Sequence, residues 1–304
     1  AAKLFVDRVT TMSGGRIKVT NFNAEVLLGI GETFRGVASG VADLAITSSV
    51  YHRGIVPVGE YLWAVPFFPF TNLEFYEYVY QFMGIKELWR EAYKPHGVMH
   101  LSYEASDEWG TMVSTRPITK YSDFKGMKVR GGSRVINIML EQLGATPVGM
   151  PVPAVGEALS KGVITATTIP WEVVPALRVQ QIVKNHTGFT GEKGLYTQTF
   201  AVAMNKAKYD ALPADLKKVI DDNSGQVAAS LFGRAMDEGD KAGLALAQQG
   251  GNKVITLDAA ETARWQRAAS GVRAVWYQEV AGKGIDGQKM AAEAERLIAK
   301  YSKK

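Results

Sequence analysis

The sequence predicts an α/β protein of two lobes, ending in long helices, and two observations carry most of that reading. Between Asp123 and Trp171, short apolar runs alternate with amphipathic segments in the order strand, helix, strand, helix, strand. The turns between them are too short for anything but parallel strands lying beside one another. The same alternation fills the first hundred residues, and no repeat, low-complexity tract or proline-rich linker divides the two stretches. Two lobes joined by extended crossings follow, residues 1–107 with 198–250 forming one and 108–197 with 251–304 the other.

The elements can be justified in order. Ala1–Met12 puts Leu4, Phe5, Val9 and Met12 on one helical face, and Ser13-Gly14-Gly15 stops the helix. Ile17–Thr20 reads as a strand, Gly31–Ser39 as a helix stopped by Gly40, and Leu44–Thr47 as a strand. The stretch Tyr51–Phe70 is an aromatic-rich loop and helix, in which Pro66 and Pro69 preclude a continuous helix. Thr71-Asn72-Leu73-Glu74 resembles a capping box opening a helix through Tyr80. Another helix runs over Lys86–Tyr93, followed by strand Val98–Tyr103.

The second lobe opens near Asp107 and includes a strand carrying Arg130, a Gly131-Gly132-Ser133 turn and a helix over Arg134–Leu143. Strand Pro147–Pro151, a helix ending at Lys161-Gly162 and a further apolar run complete its centre. Thr199–Met204 is an apolar strand, and Asp210-Ala211-Leu212-Pro213 opens a long helix to Gln249. Lys253–Thr256 is a short strand, Asp258 caps a helix through Trp276, and Gly287–Tyr301 is the closing helix.

Composition excludes several functions. Lys+Arg 35 against Asp+Glu 30 leaves a net charge of +5, scattered except for Lys300, Lys303 and Lys304, so no stripe for nucleic acid is present. The absence of cysteine removes disulfides, thiolate metal sites and a cysteine nucleophile. No run of apolar residues is long enough to span a bilayer, so no direct membrane insertion is expected. His52, His96, His100 and His186 show no metal-ligand spacing, since Pro95 and Gly97 break the one helical pairing. There is no nucleophile elbow or phosphate loop, and Gly131-Gly132 is not a dinucleotide fingerprint. Neither metal, cofactor nor catalytic apparatus is expected.

Arg130 is the sharpest candidate. It lies at the carboxyl end of a parallel strand, where open α/β sheets bind ligands, directly before glycines that open a helix. A permanent cation beside a helix N-terminus suits an anion, most naturally a carboxylate held by two prongs. The plain alternative is a surface arginine paired with an acid.

The run Lys125-Gly126-Met127-Lys128-Val129-Arg130-Gly131-Gly132, with Gly144-Ala145-Thr146-Pro147, Met150, Ala158-Leu159 and Gly162-Val163, strongly resembles the solute-binding subunit of tripartite ATP-independent periplasmic (TRAP) transporters. Ser13-Gly14-Gly15-Arg16-Ile17, Gly40-Val41-Ala42-Asp43, Val65-Pro66-Phe67 and Leu212-Pro213 extend the likeness over the whole chain. The resemblance implies a periplasmic-binding-protein-like fold with a ligand cleft between the lobes. It implies a periplasmic, non-enzymatic monomer whose partners are a small organic acid and the TRAP membrane permease subunits. A removed signal peptide and a first strand ahead of the N-terminal helix also belong to the pattern, and the resemblance leads one to expect that this strand precedes Ala1.

In the family a strand ending in Lys-x-Arg supplies the carboxylate clamp, which falls here on Arg130. Where many members carry a carboxylate that contacts ligand or metal, this chain has Thr168 and Ile169, and where sialic-acid-type members place a second arginine it has Gly110. Sugar-contacting positions fall on Ser48 and Tyr51, and Ser49, Met150, Trp109 and Trp171 complete the expected lining. So uncharged a pocket favours an aromatic or apolar monocarboxylate, bound without metal and stacked on Tyr51, Trp109 or Trp171. Two rivals remain, a ligand sensor for a membrane receptor and an enzyme acting on a small organic acid.

Overall fold

The structure is a computed structural model that describes residues 2–23, 25–48, 51, 93–106, 111–191, 194–196, 198–282, 284, 286–289, 291–292 and 296. Its main elements are α1 (Ala2–Met12), α2 (Thr33–Ser39), β1 (Leu44–Ser48), β2 (Val98–Ser106), β3 (Thr111–Ser114), β4 (Lys128–Gly131), α3 (Arg134–Gln142), β5 (Thr146–Gly149), α4 (Val155–Ser160), β6 (Ala166–Ile169), β7 (Asn185–Phe189) and β8 (Gln198–Asn205). These are followed by α5 (Ala214–Asp222), α6 (Gln226–Gln249), β9 (Lys253–Leu257), α7 (Ala259–Ala269) and α8 (Gly271–Ala281). The expected aromatic loop past Tyr51, the Thr71 capping box and most of helix Lys86–Tyr93 lie outside the described residues, as does most of the closing helix.

The chain forms two compact units of mixed α and β structure. The first contains α1, α2, β1, β2, β8, α5 and α6 as far as Ala235. Its described sheet has the order β1-β8-β2, with β1 antiparallel to β8 and Ser48 opposite Phe200. Apolar residues drive the packing: Phe34, Val37, Tyr93, Val98 and the Ala201–Ala203 run of β8 are buried. Phe5 of α1 meets Phe232 of α6 at 6.2 Å. Gly40, at φ +80°, ends α2 in the left-handed region open to glycine. Beside it Asn205 caps the helix after β8 by accepting from the Lys208 N–H at 3.1 Å, and donates to the Val37 carbonyl at 2.8 Å.

Two sequence expectations fail in this unit. Ile17–Thr20 forms no strand, because the described sheet offers it no ladder partner and Lys18, Val19 and Thr20 face solvent, where water satisfies their backbone. The helix expected from Asp210 to Gln249 is broken. Asn223–Gly225 separate α5 from α6, Gly225 takes φ +60°, and its N–H donates to the Leu101 carbonyl at 2.8 Å. Asp210 itself ends the short helix that Asn205 caps.

Among the described residues the second unit holds a six-stranded sheet of order β5-β4-β6-β3-β7-β9. β4 runs parallel to both β5 and β6, as expected. β3 and β7, which the sequence reading passed over, make the sheet mixed: β3 is antiparallel to β6 and β7, and β7 is parallel to β9. Strand alternation sorts the two faces. On one, Val113 and Ile169 join Val155, Leu159, Val174, Val179 and Trp171 in a core that also takes Ala247 of α6. On the other, Val135, Ile136, Met139 and Leu140 of α3 are buried, and Trp265 of α7 meets Phe124 and Phe189. The helix expected over Asp258–Trp276 is also interrupted. Asp258 caps α7 as anticipated, but Ser270 turns its hydroxyl back to the Arg267 carbonyl at 2.7 Å and α8 starts anew.

Candidate functional site

β4 lies between two parallel neighbours, so its carboxyl end opens where both flanking strands also end. Along it Lys128 is exposed while Val129, Arg130 and Gly131 are buried. Two glycines then follow for steric reasons. A Cβ at Gly131 would come 2.1 Å from Oδ1 of Asn137 on α3, and one at Gly132 would come 3.3 Å from Nη1 of Arg130. The bare backbone at 132 therefore lets the guanidinium lie against it. Ser133 closes the turn by accepting from the Ile136 N–H at 3.1 Å, which fixes the start of α3 and its positive dipole end three residues past Arg130.

Arg130 is 1% exposed. Its Nε donates to the Met150 carbonyl at 3.0 Å, and its Nη1 reaches the Thr168 carbonyl at 3.5 Å, a long and weak contact. Nη2 is buried with no partner among the described residues. The Thr168 carbonyl also accepts from the Tyr196 hydroxyl at 3.1 Å, while the Thr168 hydroxyl bonds the Arg130 carbonyl at 3.4 Å. The guanidinium is thus held between two carbonyl groups, which accept hydrogen bonds but cancel no charge. A buried cation without a counter-charge costs several kcal/mol, on the order of 3–5 when a partner is missing. An anion at Nη2 would remove that cost.

Ile169 belongs to the core on the Arg130 face of the sheet. Trp171 is 4% exposed and stacks on His186 at 4.8 Å and 20°, so one ring face is already taken. His186 also bonds Asn252 through Nε2 at 2.9 Å, and burial pushes its imidazole below the ordinary range despite that bond. The main chain of Trp171 and Glu172 sits on α6, where Gly239 and Gly243 share one face; a Cβ at Gly243 would come 2.0 Å from the Trp171 carbonyl. The Glu172 N–H donates to Asp240 Oδ1 at 2.7 Å, and burial raises the Glu172 carboxyl to about 7.

The second unit therefore brings Arg130, Met150 and Thr168 together, with Ile169 and Trp171 in the core on the Arg130 face. In the first unit Ser48 is buried at the end of β1, and the half-buried Tyr51 has a buried hydroxyl; neither Ser48 Oγ nor the Tyr51 hydroxyl has a partner among the described residues. Ser49, Trp109 and Gly110 lie outside the described residues. Tyr196, which steadies the acceptor of the Arg130 contact, escaped the sequence reading because nothing in its flanking residues marks it. Among the described residues no cluster of histidine or carboxylate side chains could hold a metal, and no helix is long and apolar enough to cross a membrane.

Residues 1–279 match the DctP family, bacterial extracellular solute-binding protein family 7. The chain belongs to that family. A solved TRAP solute-binding protein from Rhodoferax ferrireducens T118, in complex with copurified benzoate, is 35% identical, with a TM-score of 0.90 over 99% of this chain and 93% of the other. A marine metagenome TRAP solute-binding protein specific for aromatic acid ligands, in complex with metahydroxyphenylacetate, is also 35% identical, with a TM-score of 0.89 over 99% and 93% of the two chains. A solute-binding protein of Albidiferax ferrireducens is 26% identical over 298 residues, 97% of this chain and 84% of that relative. This DctP-family chain is thus a TRAP-type solute-binding subunit with the mixed α/β fold of its relatives.

Proposed function

We propose that this subunit captures an aromatic monocarboxylate of benzoate type in the periplasm and passes it, chemically unchanged, to the permease subunits of a TRAP transporter. The observation that carries the reading is the buried Nη2 of Arg130, a charged donor with no acceptor of its own among the described residues. A carboxylate supplies both the acceptor and the missing charge. The ligand body follows from the neighbours: Thr168 is tied to Tyr196 and to the Arg130 carbonyl, and Ile169 is apolar. Neither supplies a carboxylate for a metal bridge, and a second acid group on the ligand would be desolvated unpaired, costing about 1–3 kcal/mol. The two solved relatives that hold benzoate and metahydroxyphenylacetate support the same ligand class.

Titration calorimetry with benzoate tests the reading. Arg130→Ala should weaken binding more than a hundredfold, about 3 kcal/mol, because the ligand charge would be buried unpaired. Arg130→Lys should fall between, keeping a charge but losing the planar fork. Binding should be indifferent to a chelator and should favour benzoate over a sugar acid. Wild-type affinity in Arg130→Ala, or loss of binding with chelator, would contradict the proposal.

A further inference from the structure

Thr167 is completely buried, yet its hydroxyl has no hydrogen-bond partner among the described residues. An unpaired buried hydroxyl is costly, so its position bears on what it does. In the parallel register of β4 and β6, Thr167 stands directly opposite Arg130. Ladder partners project to the same face of a sheet, so the Thr167 hydroxyl and the Arg130 side chain rise side by side from neighbouring strands. The next residue, Thr168, has its side chain on the opposite face, where both its oxygens are engaged by Tyr196 and it bonds the Arg130 carbonyl. Two consecutive threonines therefore differ: Thr168 is closed and Thr167 is open.

Resting on the Arg130 reading above, we propose that Thr167 is a ligand-positioning residue, its hydroxyl donating to one carboxylate oxygen while Arg130 Nη2 donates to the other. Two donors from adjacent strands fix the plane of the carboxylate, and with it the direction in which the aromatic ring leaves the anchor. A hydroxyl can also accept, but a carboxylate has no proton to offer at neutral pH, so the donor role is the one this ligand uses.

The test is calorimetry with benzoate on Thr167→Val, which keeps shape and removes the hydroxyl, and on Thr167→Ser, which keeps the hydroxyl and removes a methyl. Arg130→Ala is the control and thermal unfolding the check on folding. Thr167→Val should bind roughly tenfold more weakly, the size of one hydrogen bond to a charged group, and Thr167→Ser should stay within about twofold of wild type. In the Arg130→Lys background the valine effect should shrink, because the pair acts as a unit. Wild-type binding by Thr167→Val, with Arg130→Ala impaired, would overturn the role of Thr167 and leave Arg130 standing. Equal weakening in the serine and valine variants would assign the effect to packing and also overturn it. Undiminished binding by Arg130→Ala would instead remove the reading on which the proposal rests.

Discussion

Asn205 in the first unit and Arg130 in the second are both buried polar side chains at the ends of strands, and they are used in opposite ways. Asn205 spends both ends of its amide inside the fold: its NH2 donates to the Val37 carbonyl and its oxygen caps the following helix. Arg130 spends Nε and Nη1 on carbonyl groups and has no partner for Nη2 among the described residues. The difference teaches that an unpaired atom is not by itself a functional mark. Asn137, Gln142 and Trp265 also have a buried atom without a partner among the described residues, but they are neutral, the cost is modest, and none stands on a strand in register with Arg130 as Thr167 does. What sets Arg130 apart is that its spare donor carries charge, which only an anion can answer.

If that contrast is right, closed places should respond through stability and leave binding alone. The largest effect is expected at Gly243, where a Cβ would meet the Trp171 carbonyl at 2.0 Å. Gly243→Ala should destabilise by about 3 kcal/mol, at the upper end of overpacking, because the obstacle is backbone and cannot swing aside. Chemical denaturation measures it; a neutral result would show that α6 does not seat the Trp171–Glu172 segment so closely.

Asn205→Ala comes next. It removes a helix cap and one of the two hydrogen bonds to the Val37 carbonyl, which keeps the Gly40 N–H at 3.1 Å. The loss should be about 1–2 kcal/mol, while benzoate affinity should be unchanged. A variant as stable as wild type but weaker in binding would invert the comparison.

The smallest effect is pH-dependent. Burial raises the Glu172 carboxyl to about 7, so the fold prefers it protonated. Its contribution to stability is complete below the ordinary carboxylate range and is lost as pH rises through about 7. Glu172→Gln should therefore match wild type near pH 4 and exceed it by about 1 kcal/mol at pH 8, as thermal unfolding at the two values would reveal. An advantage confined to acid would reverse the assignment.

The parallel core of the second unit was legible because each strand is a short run bounded by Gly or Pro, and α3 has a clear apolar stripe. β7 was not, since Asn185, His186 and Thr187 are polar yet buried, and β3 is only four residues long. Ile17–Thr20 misled for the converse reason: its composition suits a strand, but a strand needs a partner that local sequence cannot name. The break at Gly225 was visible as Asn-Ser-Gly, and the length of the surrounding helical pattern outweighed it. At the site, Arg130 announced itself through Lys-x-Arg-Gly-Gly. Thr167 and Tyr196 did not, because their meaning comes from cross-strand register and from a residue 28 positions away. Trp171 looked like a platform for a ring, and its stacking on His186 is a tertiary fact that composition does not encode.

The central claim is that Arg130 is a buried charge kept for a ligand, and thermal unfolding of Arg130→Met with and without benzoate tests it most directly. Exchanging a buried ion for an apolar side chain of similar length is often neutral or stabilising. The account predicts that the empty variant unfolds at or above the wild-type temperature, and that benzoate, which raises the wild-type midpoint, leaves the variant unmoved. An empty variant less stable than wild type, with a midpoint that benzoate still raises, would show that Arg130 is structural and that the carboxylate is held elsewhere.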